Sequence, residues 1–180
     1  MWIWDVAKGI TIAVSRIRFS KDGKKFCCLD AENRVIVWDT ASYQTIGVLI
    51  RLSSQAEDVA LCGSKVVVSH EGASVCVWDV AAGSVEKEYM EKEYVTLHGT
   101  YFRTENRIVN VMTGEDITSK CSDGQKIYQV TFSWDDTRVL IETLVSWVLL
   151  DVDSGNIIAH MGEGWVAFFA VDGKHFVARN

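Results

Sequence analysis

The sequence contains no proline. An average chain of this length carries about nine, so the turns here must be made from thirteen glycines together with Asn, Asp and Ser. No run of eighteen apolar residues occurs, and no basic, apolar and small-residue leader opens the chain; membrane spanning and secretion are both disfavoured. Lys/Arg-rich blocks are absent as well. With 18 Lys+Arg against 24 Asp+Glu and a net charge of −6, the chain offers no electrostatic match to a phosphate backbone, and nucleic acid is set aside as a partner. The five cysteines (Cys27, Cys28, Cys62, Cys76 and Cys121) show no CxxC or CxxH spacing, so zinc has no support. Three of them sit in apolar runs such as FCCL and VCVW, which reads as buried reduced thiols in a cytoplasmic protein. GxxxxGK[ST], GxGxxG, HExxH and GxSxG are all missing, which leaves nucleotide loops, zincin sites and nucleophile elbows without their signatures. No cofactor is expected.

What the sequence has is a repeat, and it appears in two registers. In the first, an apolar run is followed by an acidic or amide residue, a few small residues and, in most copies, glycine: WIWDVAKG at 2–9, VIVWDTASY at 35–43, VCVWDVAAG at 75–83, RIVNVMTG at 107–114 and WVLLDVDSG at 147–155. Aligned on Trp4, Trp38, Trp78, Val109 and Leu150, it recurs every 31 to 41 residues. The second is an apolar triplet usually followed by a turn, IRFSKDG, VALCGS, VTLHGT, VTFSWDD and AFFAVDG. Its anchors Phe19, Leu61, Leu97, Phe132 and Phe169 are 35 to 42 residues apart. Two motifs sharing one period identify an array of small units with a continuous core.

Between the anchors lie runs of four to six residues rich in Val, Ile and aromatics, such as KFCCL, RVIVW, KVVVS and RVLIE, bounded by turn residues. They predict short strands, and no helical period of useful length competes. The charged stretch SVEKEYMEKE at 84–93 is assigned to an exposed outer strand and loop, by its position in the repeat. Because several strands are apolar on consecutive residues, both of their faces should be covered, as in small sheets stacked around an axis. Gly9, Gly83, Gly114 and Gly155 supply a positive φ at the turn. Tyr43 stands in that place in the second copy, which predicts a longer or differently shaped turn there.

FSKDG, then a strand, then V-x-V-W-D and a glycine turn at a period near 40 resembles the WD40 repeat, over nearly the whole chain. The resemblance implies an all-β fold, a WD40-type β-propeller of four-stranded antiparallel blades. Strand a would line the channel, strand d would lie outermost, and the WD pair would close strand c. Trp4 with Asp5, Trp38 with Asp39 and Trp78 with Asp79 match that pair, and Asp151 holds the acidic place beside Leu150. The array departs from the pattern in several places. No Gly-His dipeptide precedes strand a, Glu32 and Asn33 replace the usual Asp-Gly turn, and Asn110 stands where Asp would be in a shortened blade. The single domain 1–180 then divides into a half blade (c, d) at 1–14, complete blades at 15–50, 56–90, 94–119 and 127–160, and a half blade (a, b) at 165–180, twenty strands in all. This is either an open arc, part of a larger WD-repeat protein, or a five-bladed ring closed by the terminal strand pairs. The arc is the reading preferred from the sequence, because rings in the resembled family usually have more blades.

Candidate chemistry is sparse. DVDSGN at 151–156 begins like a calcium loop, but Gly162 stands where a bidentate Glu belongs, so a glycine turn is the better reading. His70-Glu71 reads as a solvated turn before strand c, and Asp22, Asp135, Asp136 and Asp172 recur at one place as turn formers. Residues just before strand a, at the channel mouth, form the candidate partner-binding face: Arg16, Asp58, Tyr94, Tyr128, Gln129 and Trp165. The resulting expectation is a non-enzymatic scaffold for protein partners. Two alternatives stand beside it: a sensing or autoinhibitory segment of a larger NACHT- or apoptosome-like ATPase, and, more remotely, a propeller enzyme.

Overall fold

The computed structural model describes residues 2–5, 10–72, 74–91, 95–104, 107–121, 125–133, 137–152, 154–164, 166–170 and 175–179. These hold eighteen strands and a single helical turn. They fall into two compact units, Met1–Thr100 and Tyr101–Asn180.

In the first unit, β1 (Trp2–Asp5) pairs antiparallel with the start of β2 (Ile10–Phe19), Trp2 opposite Ala13 and Asp5 opposite Ile10. The later half of β2 pairs with β3 (Lys25–Asp30), followed in meander order by β4 (Arg34–Asp39) and β5 (Thr45–Arg51). A second four-stranded meander contains β6 (Ala56–Cys62), β7 (Lys65–His70), β8 (Ser74–Asp79) and β9 (Ser84–Met90). β10 (Thr96–His98) ends the unit. As the sequence predicts, β9 is extended and mostly exposed.

Side-chain alternation divides β3 between two cores. Cys27 and Leu29 point into a cluster with Val35, Val37 and Ile50 of their own sheet and Val59, Leu61, Val66 and Val68 of the next. Phe26 and Cys28 face the other way, onto Val14, Ile36 and Trp38. Both faces of the strand are covered, which is why its sequence is apolar without alternation.

In the second unit, β11 (Tyr101–Arg103) pairs with β12 (Ile108–Asn110). The chain then makes one bridge, Val109 to Asp116, before the helical turn α1 (Thr118–Cys121). A four-stranded meander follows: β13 (Ile127–Phe132), β14 (Arg138–Thr143), β15 (Trp147–Asp151) and β16 (Ile157–Met161). The hairpin of β17 (Val166–Phe169) and β18 (Phe176–Arg179) comes last. Its Ala167, Phe169, Phe176 and Ala178 pack onto Leu140, Trp147 and Leu149.

Two places account for the difference between twenty expected strands and eighteen observed. Nothing between Val14 and Phe19 breaks an extended chain, so two expected strands run on as the single strand β2. Beyond β12, an expected outer strand is reduced to the Val109–Asp116 bridge.

Candidate functional site

The turn after each WD position is a repeated hydrogen-bonded device. Asp39 Oδ1 accepts from the Ala41 amide at 3.1 Å, the Ser42 amide at 2.7 Å and the Ser42 hydroxyl at 2.8 Å. Asp79 Oδ1 accepts from the amides of Ala81 at 2.9 Å and Ala82 at 2.8 Å. Asn110 Oδ1 accepts from Met112 and Thr113, and Asp151 Oδ1 from the amide and hydroxyl of Ser154. In all four copies the amide four residues on donates to the backbone carbonyl of the Asp or Asn, and that fourth residue has positive φ: Tyr43 at 55°, Gly83 at 64°, Gly114 at 81° and Gly155 at 67°. The turn needs an oxygen acceptor at the first position, which is why Asn110 serves as well as Asp. Trp4, Asp5 and Gly9 belong to a further copy, but their side chains or backbone lie outside the described residues.

Two sequence expectations are corrected here. Tyr43 does not change the turn; it takes the left-handed conformation itself and makes the same bond, Tyr43 N to Asp39 O at 3.0 Å. His70 is not solvated. It is 3% exposed, its Nδ1 lies 2.9 Å from Ser54 Oγ, and Ser54 O in turn accepts from Asn33 Nδ2 at 2.6 Å. Asn33 also accepts the Ala56 amide at 3.0 Å. Asn33, Ser54 and His70 thus tie the β3–β4 turn to the beginning of the next sheet and the end of β7. Their burial follows from strand pairing across the sequence, which a local reading of His-Glu does not contain.

The candidate contact residues share an unforeseen geometry. The expectation places them just before strand a of each blade; the structure places four of them within strands β2, β6 and β13. The register shifts between Val14 and Arg16 against β3, between Ala56 and Asp58 against β7, and between Ile127 and Gln129 against β14. Ser15, Glu57 and Tyr128 are therefore the bulged residues at one repeated position, and Arg16, Asp58 and Gln129 each follow one. A β-bulge re-aims side chains at the edge of a sheet.

In the first unit this brings Arg16 and Asp58 together and adds Arg18, which the sequence analysis passes over. Arg18 Nη2 lies 3.0 Å from both Asp58 oxygens, while Arg16 donates Nε to Glu57 O at 3.2 Å and lies 3.8 Å from Asp58. In the second unit Tyr128 is half exposed, and Arg103, likewise unforeseen, donates to its carbonyl at 3.3 Å. Gln129 donates to Thr131 Oγ1 at 3.2 Å. Tyr94 and Trp165 lie outside the described residues. Arg18 and Arg103 could have been found only by knowing which residues stand opposite them, since neither occupies a distinctive motif.

No family model and no curated protein matches the sequence. Solved structures do match. The β-propeller domain of Cps50 (Swd1) from Myceliophteria thermophila superposes with a TM-score of 0.57 at 12% identity, over 92% of this chain and 63% of that one. Hsv2 from Kluyvelomyces marxianus gives a TM-score of 0.61 at 13% identity, over 94% of this chain and 62% of that one. The computationally designed Ika8 protein gives 0.55 at 16% identity, over 88% and 54%. The fold is a β-propeller. The chain spans about six-tenths of the length of the first two of these structures.

In this propeller array the Trp38 and Trp78 side chains serve packing. Trp38 stacks on Phe26, and Trp78 lies against the cluster shared by two neighbouring sheets. Three of the thiols are held in the protonated, weakly nucleophilic form. Burial, aided by the neighbouring thiols, pushes Cys27 up to about 12, and burial pushes Cys28 and Cys76 up to about 11. Among the described residues no three His, Cys, Asp or Glu side chains gather where they could hold a metal ion, and no helix is long and apolar enough to cross a membrane.

Proposed function

We propose that this propeller segment is a non-enzymatic interaction scaffold for protein partners, working inside the cell in the cytoplasm. One observation carries the reading: the bulge recurs at the same place in three sheets, yet its occupants are Ser15, Glu57 and Tyr128, followed by Arg16, Asp58 and Gln129. The turn after each WD position, by contrast, keeps an Asp or Asn acceptor in all four described copies. A constant backbone that presents unlike side chains is how a rigid scaffold displays a recognition surface. Charged and aromatic groups on such a surface fix partner and register. Buried, unreactive thiols fit a reducing compartment.

The test is partner capture on the immobilised chain, identification of the bound protein, and affinity measurement with Arg16→Glu and Asp58→Arg. Each charge reversal should weaken the captured complex about ten-fold or more. Unchanged affinity in both variants would remove this face from consideration.

A further inference from the structure

Three of the hairpins that join the second and third strands of a sheet have polar connections, and one does not. In sequence, these connections read Ala31-Glu32-Asn33 between β3 and β4, Glu71-Gly72-Ala73 between β7 and β8, and Thr104-Glu105-Asn106-Arg107 between β11 and β12. Between β14 and β15 the connection is Leu144-Val145-Ser146, with two apolar residues at its tip. These two side chains are 63% and 46% exposed. Turn chemistry favours Gly, Asn, Asp and Ser, and solubility disfavours an apolar tip, so neither accounts for the pair.

The tip is held stiffly. Thr143 N donates to Ser146 O at 2.8 Å, Ser146 N donates to Thr143 Oγ1 at 3.2 Å, and the two hydroxyls lie 3.0 Å apart, all buried. Tyr128, 51% exposed, is the bulged residue opposite the Glu142–Thr143 step, directly beside this hairpin. Arg103 fixes the Tyr128 carbonyl from β11 at 3.3 Å and brings a cation to the rim. Tyr128 and Arg103 are residue types that carry contact hot spots, and the exposed apolar pair beside them adds surface that gains from being covered.

The geometry points to Tyr128, Leu144 and Val145 as the docking surface for a protein segment that lays a branched apolar side chain on them and offers a carboxylate to Arg103. This rests on the interaction reading above and names its partner chemistry. A protein is favoured over an anionic bilayer because the cation shown bordering the patch is the single Arg103, enough for one carboxylate, whereas recognition of acidic lipid takes a cluster of about four to eight basic residues.

The probe is a set of short fluorescent peptides with a central leucine or alanine flanked by glutamates or lysines, read by anisotropy. Vesicles rich in phosphatidylserine form a separate arm. The leucine–glutamate peptide should bind, with about ten-fold weaker binding for the alanine or lysine forms. Binding should be lost in a Leu144→Ser, Val145→Thr double variant whose thermal unfolding is unchanged, and Lys21→Glu, an exposed charge reversal in the turn between β2 and β3, should leave it intact. No discrimination among the peptides, equal binding by the double variant, or binding to vesicles alone would each overturn the inference. A captured partner that depends on Arg16 and Asp58 but ignores the double variant would overturn it too, while leaving the scaffold reading standing.

Discussion

Phe26 and Trp38 face each other across the β3–β4 pair, with ring centroids 6.0 Å apart and planes 2° from parallel. Phe19 adds a tilted contact to Phe26 at 5.6 Å. Trp38 is almost fully buried, so Trp38→Ala should cost about 3–5 kcal/mol. A double-mutant cycle with Phe26→Leu and Trp38→Leu in urea should return a coupling of about 1 kcal/mol. Coupling near zero would reduce the tryptophan of the WD pair to generic buried area.

Tyr43 occupies a conformation that its three counterparts fill with glycine. A side chain in the left-handed region costs about 1–2 kcal/mol, partly offset because glycine loses more chain entropy on folding. Tyr43→Gly should therefore leave stability unchanged or raise it by up to about 1 kcal/mol. Gly155→Ala, at φ 67° in the equivalent turn, should destabilise by about 1 kcal/mol. Denaturation midpoints of the two variants moving in the same direction would show that the four turns are not equivalent.

The carboxylates of these turns should shape the acid limb of stability. The Lys65 ammonium, 2.6 Å away, is the largest influence holding Asp79 below the usual carboxylate range, followed by the Ala82 amide. For Asp39 the Ser42 amide comes first and its hydroxyl second. A carboxyl whose folded value lies below its unfolded value, about 3.9, contributes stability above that pH. The contribution is lost as pH falls through the folded value. Asp39→Asn with Asp79→Asn should flatten the decline in denaturation midpoint below about pH 4. The turns themselves should survive in that variant, as Asn110 shows they can. An acid limb as steep as the parent's would mean that other groups drive it.

The period of the array was legible because the turn demands particular residues at fixed spacing: an acceptor at Asp39, Asp79, Asn110 or Asp151, and a positive φ four positions later. The bulges were not legible, because Ser15, Glu57 and Tyr128 have no residue property in common. A bulge is a mismatch between two strands, and either strand read alone looks regular. The same holds for His70, which is paired with Ala56 of β6 and bonded to Ser54 in the loop before it, and for the join within β2, where the backbone runs on without a breaker. Candidate contact residues could be chosen by their place in the repeat, while their partners Arg18 and Arg103 required the register.

Gly47 offers a direct measurement of how tightly two neighbouring sheets meet. It lies in β5 at φ 71°, and a Cβ built on it would run into the carbonyl oxygen of Val80, with the Val80 carbonyl carbon and Cγ1 also at 2.8 Å. Val80 cannot easily retreat, since it is buried and its amide is bonded to Ser64 O at 3.2 Å. Gly47→Ala thus combines a backbone penalty of about 1–2 kcal/mol with overpacking of about 1–3 kcal/mol, or about 3 kcal/mol together. Gly23 is the control: its φ of 67° is nearly the same, but nothing lies within 4 Å of its added Cβ, so Gly23→Ala should cost only the backbone part, about 1 kcal/mol. The difference between the two variants in urea denaturation isolates the contact with Val80. Equal costs would show that the sheets can separate enough to admit a methyl group, and that their packing at this edge is loose.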